Sequence, residues 1–93
     1  MKKLLVLSPA VQKQLRALPD ADKVGAVMAL LELGQAFGNP HVHSGLGIRK
    51  LKNNAFECRA GLARRFGFVA HPDKLTVVCL GNHDDIRRWI RDL

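Results

Sequence analysis

The chain has 93 residues, of which 47% are hydrophobic and 25% are charged, the composition of an ordinary globular protein. A chain this short builds one core, so residues 1–93 are expected to form a single domain. Fifteen Lys and Arg residues against eight Asp and Glu residues give a net charge of +7, which attracts polyanions such as nucleic acid. No apolar run approaches the roughly 20 residues of a membrane span, and the apolar start is too short for a signal peptide. These features predict a cytoplasmic protein without a membrane segment.

The positive charge is concentrated in the middle of the chain. Residues 45–68 carry six basic side chains against Glu57 alone, a net charge of +5. The net charge is +2 over residues 1–44 and zero over residues 69–93. Such a stretch either binds a polyanion or is a solvated surface that keeps the protein soluble. Composition alone does not separate these two interpretations.

The first 38 residues predict a strand followed by a helical hairpin. Residues 4–7 form an apolar run typical of a buried strand, and Ser8-Pro9 then supplies an N-cap and a proline at the first helical position. A second helix follows Pro19, capped by Asp20 or Asp22. The apolar side chains of the first helix share one face at Val11, Leu15 and Leu18. Those of the second recur at Val24, Val27, Met28 and Leu31, the spacing of an amphipathic helix.

Short strands are expected in the second half of the chain. Residues 38–47 contain three glycines and a proline and are expected to form a loop. Phe56 and Cys58 then alternate with Glu57 and Arg59, the period of a strand. Further strands are predicted over 62–70 and 75–80, with turns at 61 and 71–74.

A final helix is predicted after Asn82, capped by Asp84 or Asp85. The resulting element order is β-α-α-β-β-β-α. It predicts an α+β fold, a curved antiparallel sheet with the N-terminal helical hairpin packed on one face.

Strand parity assigns the side chains to the two faces of this sheet. The apolar positions of 62–70, which must face the helices, are Leu62, Phe66, Phe68 and Ala70. Arg65 and Gly67 therefore point to the open face, and by the same argument so do Glu57 and Arg59. Arg64 has the opposite parity and is expected at a strand end or edge. Glu57, Arg59 and Arg65 are thus expected close together on an exposed concave surface.

Several of these residues also have a purely structural interpretation. Glu57 with Arg59 or Arg65 could form a cross-strand ion pair without a function. Trp89, at helical spacing from the isoleucines of the last helix, is expected to anchor that helix to the core. The four histidines lack the spacing of a metal site on a helix, and His41, His43 and His71 are expected in loops. Two cysteines without CxxC spacing, Cys58 and Cys79, are expected to be buried free thiols.

Four segments occur in a recognisable order along the chain: GIRKLK at 47–52, FECR at 56–59, ARRFGF at 63–68 and GNHDDI at 81–86. Together with the N-terminal strand and helical hairpin, their order and spacing resemble the RelE/ParE toxin superfamily over essentially the whole chain. The resemblance implies a toxin of a type II toxin–antitoxin system, held in a hetero-oligomer by its antitoxin. In the RelE-like branch it implies a small basic endoribonuclease that cuts mRNA on the ribosome without a metal or other cofactor.

The resemblance also implies a role for individual residues. Arg65 matches the catalytic arginine, Glu57 would be the general base, Arg59 would hold phosphate and His83 would be the general acid. The chemistry requires such a set, since the 2′-hydroxyl of the message attacks the adjacent phosphate and the transition state gains negative charge. The residues expected to contact the RNA backbone are Arg49, Lys50, Lys52 and Arg64.

Two other functions stay open at this point. The ParE branch has the same fold and inhibits DNA gyrase by binding it, and an inactive relative would bind only an antitoxin. The chain has no tyrosine, although several RelE-like nucleases use one in the C-terminal region. Asp84 and Asp85 also stand where such nucleases often carry basic residues.

Overall fold

The computed structural model describes residues 3–38 and 46–93 of the chain. In chain order these residues form β1 (Leu4–Leu7), α1 (Pro9–Arg16), α2 (Asp20–Ala36), β2 (Arg49–Lys52), β3 (Ala55–Arg59), β4 (Arg65–Ala70), β5 (Lys74–Gly81) and α3 (His83–Arg91). The α+β class is confirmed, and the structure adds a strand to the four that the sequence predicted. Most of the loop expected over 38–47, with His41 and His43, lies outside the described residues.

The first helix begins as the sequence predicted. The Ser8 hydroxyl accepts a hydrogen bond from the backbone N–H of Val11 at 3.2 Å, and Pro9 occupies the first helical position, where no N–H is needed. Val11 is fully buried, and Leu15 and Leu18 pack against the core. The predicted core face of α1 is therefore confirmed.

The five strands form one sheet in the order β1-β5-β4-β3-β2. The prediction of an antiparallel sheet is confirmed for β2 to β5, whereas β1 pairs with β5 in parallel. The additional strand is β2, whose sequence is RKLK. Its basic residues suit an exposed edge, because charged side chains there discourage pairing with a second chain.

A β-bulge in β5 alters which of its side chains face the core. The pairing register with β4 shifts between Gly67 and Phe68, so that β5 has one extra residue at Val78. The side chains buried on the helical-hairpin side are Leu75, Val77 and Leu80. Strict alternation would have turned one of these residues away from the core.

The parity predicted for β3 and β4 holds within the strands. Phe66, Phe68 and Cys58 are fully buried in the core, and Phe56 packs against it. Leu62 is the exception, since it is fully exposed. The reason is that β4 begins at Arg65, so Leu62 belongs to the turn between β3 and β4 rather than to a strand.

The core face predicted for α2 is wrong. Val24, Val27, Met28 and Leu31 are all exposed, and the buried side chains of this helix are Ala26, Ala29, Leu30, Leu33 and Ala36. The helix is apolar on most of its circumference, so periodicity gives no single direction to the core. The buried face is therefore decided by tertiary packing against the rest of the core.

The cap predicted for α2 is also wrong. The N-cap residue is Pro19, and no side chain there hydrogen-bonds to the free backbone N–H groups. Asp20 and Asp22 instead lie within the first turn, where their negative charge interacts favourably with the helix dipole.

The last helix packs on the sheet face opposite the helical hairpin. A Cβ atom built on Gly67 would lie 2.5 Å from Cζ3 of Trp89, so the indole rests directly on the β4 backbone. Gly67 alternates with the core residues Phe66 and Phe68, so its Cβ direction is that of the other face. The expectation that this second face is open is therefore corrected: α3 covers part of it, and Trp89 anchors the helix there.

Two features are absent from residues 3–38 and 46–93. No helix in these ranges combines the length and apolar character needed to cross a lipid bilayer. Nor do these ranges bring three or more His, Cys, Asp or Glu side chains together in a way that could hold a metal ion.

Candidate active site

A buried carboxylate, Glu57, lies at the centre of the basic stretch. Its side chain is only 1% exposed and is held between two guanidinium groups. Nη1 of Arg65 lies 3.2 Å from Oε1, and Nη2 of Arg49 lies 3.2 Å from Oε2. A buried charge is costly unless it is paired in this way. Two cationic partners therefore explain how an ionised carboxylate is tolerated here.

The burial of Glu57 corrects the expectation of an exposed surface. Glu57 is on the predicted face, opposite Gly67 in the register of β3 and β4. It is covered there because Arg49 of β2, a strand the sequence did not reveal, pairs directly opposite it. The C-terminal helix closes over the same face and completes the enclosure.

The two oxygens of Glu57 differ in their surroundings. Although Arg65 is 3.2 Å from Oε1, the direction of the contact does not satisfy hydrogen-bond geometry, and Oε1 accepts no hydrogen bond from any described residue. The contact is thus an ion pair that leaves a lone pair of Oε1 unused. Oε1 is also fully buried, so a group bound at the surface does not reach it in this arrangement.

Glu57 forms the end wall of a groove between β2 and α3. The groove has a volume of about 310 Å³. Its lining residues are Arg49, Leu51, Glu57, His83, Ile86, Arg87, Ile90 and Arg91. Leu51 reaches the groove because the register of β2 against β3 shifts between Lys50 and Lys52. The groove therefore combines an apolar floor with a cationic rim and one carboxylate.

His83 is exposed and opens onto this groove from the first position of α3. Its place depends on a capping box, in which the backbone N–H of Asp85 donates to Oδ1 of Asn82 and the N–H of Asn82 donates to Oδ2 of Asp85, both at 2.9 Å. The predicted cap residues are corrected, since Asn82 is the N-cap and Asp85 supports it from the third position. His83 and Glu57 therefore line one groove.

Arg59 and Arg64 lie at the ends of β3 and β4. Arg59 is exposed, shares the parity of Glu57, and lies beside Gly47, whose Cβ position would be 3.2 Å from Nε. Arg64 instead pairs with Asp22 of α2 at 3.3 Å, on the helical-hairpin side of the sheet. A larger groove of about 530 Å³ lies beside Arg64, but none of the predicted catalytic residues lines it. The structure thus separates Arg64 from the groove that holds Glu57.

The two lysines of β2 also point in different directions. Lys50 pairs opposite Phe56 and so shares the helical-hairpin face, whereas Lys52 follows the register shift and donates from Nζ to the backbone oxygen of Leu93 at 3.3 Å. Both are exposed. Of the residues expected to contact RNA, Arg49 is the one that the structure places in the groove.

Sequence reasoning missed three contributions to this site. Arg87 and Arg91 of α3 line the groove, although the sequence analysis assigned them no role in the site. Gly67 was assigned to the open face without a role. Because it has no side chain, the indole of Trp89 packs directly on its backbone, and this contact positions α3. The spacing of four residues between Arg87 and Arg91 was the available signal, since it places both side chains on one side of the helix.

Neither cysteine belongs to the site. Cys58 is buried and Cys79 partly so, and both are free thiols. Burial raises the pKa of Cys58 to about 12, and burial together with the nearby Asp85 raises the pKa of Cys79. Both thiols therefore stay protonated at neutral pH and are poor nucleophiles.

Comparison with known proteins gives a match in structure rather than in sequence. No protein-family model and no curated protein matches the chain. The solved structures include the archaeal RelE-RelB complex of Pyrococcus horikoshii OT3, with a TM-score of 0.67 at 18% identity, covering 88% of this chain and 96% of that one. The chain has the fold of RelE-like toxins.

Two further structures with the RelE-like fold agree. The RelB-RelE antitoxin-toxin complex of Methanococcus jannaschii has a TM-score of 0.64 at 18% identity, covering 94% of this chain and 95% of that one. The YoeB-YefM complex of Staphylococcus aureus has a TM-score of 0.62 at 15% identity, covering 89% of this chain and 99% of that one. At such identities the fold is established, and the function has to be argued from the side chains of the groove.

Proposed function

We propose that this protein is the toxin of a type II toxin–antitoxin system and acts as a ribosome-dependent mRNA endoribonuclease that inhibits translation. The observation that carries the proposal is that Glu57 and His83 line one cationic groove, while Arg65 is ion-paired to Glu57. The RelE-like fold supports it, because the similar structures are toxins solved with their antitoxins. The chemistry requires a base, an acid and a fixed cation near one phosphate, and the groove offers each.

In the proposed reaction the 2′-hydroxyl of a message nucleotide loses its proton to Glu57. The acceptor is Oε2, which pairs with Arg49 of the groove and becomes available when that guanidinium moves. The 2′-oxygen then bonds to the adjacent phosphorus, the bond from phosphorus to the 5′-oxygen breaks, and His83 gives a proton to that leaving oxygen. The products are a 2′,3′-cyclic phosphate and a free 5′-hydroxyl.

Arg65 stabilises the additional negative charge of the pentavalent phosphate. Its side chain is 32% exposed and already fixed beside Glu57, so little reorganisation is needed when the charge develops. Arg49 is 68% exposed, and moving its guanidinium toward the incoming phosphate would free Oε2. Arg59, at the end of β3, holds a neighbouring phosphate. No step in this scheme requires a metal or another cofactor.

The proposal is tested by inducing the protein in cells and mapping RNA 5′ ends together with plasmid supercoiling. We expect new mRNA ends that appear only during translation, together with unchanged plasmid supercoiling. His83→Ala should reduce cleavage by about 100-fold or more, the usual contribution of a general acid. His71→Ala is the matched control, because His71 lies in the turn after β4, at the far end of that strand from Arg65.

His83 is a better test residue than Arg65, because removing Arg65 also uncovers a buried carboxylate. Loss of supercoiling without new RNA ends would contradict the proposal and favour the gyrase inhibitor. Harmless expression of the unmodified chain would favour an antitoxin-binding relative without activity. Equal cleavage by the His83→Ala and His71→Ala variants would overturn the assignment of the acid.

A further inference from the structure

The C-terminal helix presents two arginines to the groove beside the proposed active site. Arg87 and Arg91 are four residues apart, so they lie one above the other on the same side of α3. Both line the groove together with Arg49 of β2. Leu51, Ile86 and Ile90 form the apolar floor between these cations.

The charges of these two arginines are not paired by any ion pair among the described residues. Among residues 3–38 and 46–93, neither Arg87 nor Arg91 forms an ion pair, whereas Arg88 on the same helix pairs with Asp85 at 3.3 Å. The carboxylate in the groove, Glu57, is already paired with two other arginines. The groove therefore has an excess of positive charge that faces solvent and has no internal counter-ion.

We propose that this groove binds the RNA nucleotide next to the cleaved phosphodiester bond. Arg87 and Arg91 hold its backbone phosphates, and its base lies on the floor formed by Leu51, Ile86 and Ile90. Guanidinium groups suit this role because their planar donors match phosphate oxygens. The inference rests on the proposed nuclease function and adds a substrate-binding subsite to it.

Size and position favour RNA over an acidic segment of a partner protein. A volume of about 310 Å³ lies at the small end of ligand pockets, which suits one nucleoside better than the long face of a helix. Glu57 and His83 line the same groove as the two arginines. His83, Arg87 and Arg91 are four residues apart along α3, so a strand whose phosphate reaches His83 can extend along the arginines.

The test compares Arg87→Ala and Arg91→Ala with Arg88→Ala, which removes the same charge from the same helix but outside the groove. The probe is a short dye-labelled oligouridylate, and its affinity is measured over a series of salt concentrations. Each groove variant should weaken binding several-fold more than Arg88→Ala and lower the slope of log affinity against log salt by about 0.7. Melting temperatures close to that of the unmodified protein are expected for all three variants.

Three results would overturn the subsite. The first is an equal loss of RNA affinity in all three variants, which would show a diffuse charge effect. The second is that the two groove variants lose more affinity for a synthetic helical peptide of Glu and Leu than for the RNA. That result would indicate a protein-docking surface. The third is equal affinity for oligouridylate and an abasic strand of the same length, which would contradict a base on the apolar floor.

The outcomes for the subsite and for the nuclease are separable. RNA binding that depends on Arg87 and Arg91, in a protein that yields no mRNA ends in cells, would retain the groove as an RNA-binding site but reject the nuclease. Cleavage that requires His83, together with RNA binding equally affected by all three arginine variants, would retain the nuclease and reject the subsite.

Discussion

At the scale of single residues, the decisive feature is a carboxylate that folding removes from water. Parity along β3 and β4 was enough to place Glu57 near Arg65, because alternation is a local property of the chain. The burial of Glu57 was not predictable in the same way, since it results from Arg49 on a strand with little strand signal and from a helix that folds back over the sheet. A carboxylate in this setting depends on its partners, because an unpaired buried charge costs several kcal/mol.

The energetic coupling of this pair is testable by a double-mutant cycle in urea. Arg65→Ala in the unmodified protein should lower the free energy of unfolding by about 2 kcal/mol or more, because Glu57 loses one of its two cationic partners. In a Glu57→Gln background the same change should cost less than about 1 kcal/mol. An equal cost in both backgrounds would mean that Arg65 contributes through packing and not through the ion pair.

At the scale of elements, the sequence pattern predicted the positions of most helices and strands. For some of them, however, it predicted the wrong buried face. Ser8-Pro9 fixed the start of α1, since a cap is a local interaction. The second helix is apolar nearly all round, so four well-spaced residues suggested a core face that the structure exposes. Only tertiary packing, which buries Ala26 and Leu30 in the core, selects the true face.

The orientation of α2 predicts contrasting effects of two leucine truncations. Leu33→Ala should destabilise the protein by about 2–5 kcal/mol, because Leu33 is fully buried and its loss leaves a cavity. Leu31→Ala, two residues earlier on the same helix, should change stability by less than about 0.5 kcal/mol, since Leu31 is 63% exposed. Thermal or urea unfolding would measure both, and similar losses would contradict the observed rotation of the helix.

At the scale of the whole molecule, the basic stretch of the sequence is divided between the two faces of the sheet. Arg49 and Arg65 converge on Glu57, while Arg64 turns to Asp22 of α2 on the other side. The cationic groove is completed by α3, which belongs to the segment 69–93 whose net charge is zero. A second surface, the apolar face of α2 at Val24, Val27, Met28 and Leu31, has no cover within the described chain.

These two surfaces lead to different expectations for the proposed antitoxin. We expect the product of the adjacent reading frame to bind chiefly the basic surface, so its affinity should fall about tenfold or more between low and physiological salt, as charge attraction is screened. Calorimetric titration of the purified pair over that range would measure the effect. An affinity insensitive to salt would contradict this and direct attention to the exposed apolar face of α2.

The sequence by itself determined the class of fold, the order of its main elements, and the grouping of Glu57, Arg59 and Arg65 on one sheet face. Each of these follows from local patterns, such as capping, turn residues and the two-residue period of a strand. Tertiary structure alone decided the burial of Glu57, the exposed face of α2 and the recruitment of Arg87 and Arg91, because these depend on contacts between segments distant in the chain. The seating of Trp89 on Gly67 shows the physical reason, since the absence of one Cβ atom sets how closely α3 can approach the sheet and therefore which side chains form the groove.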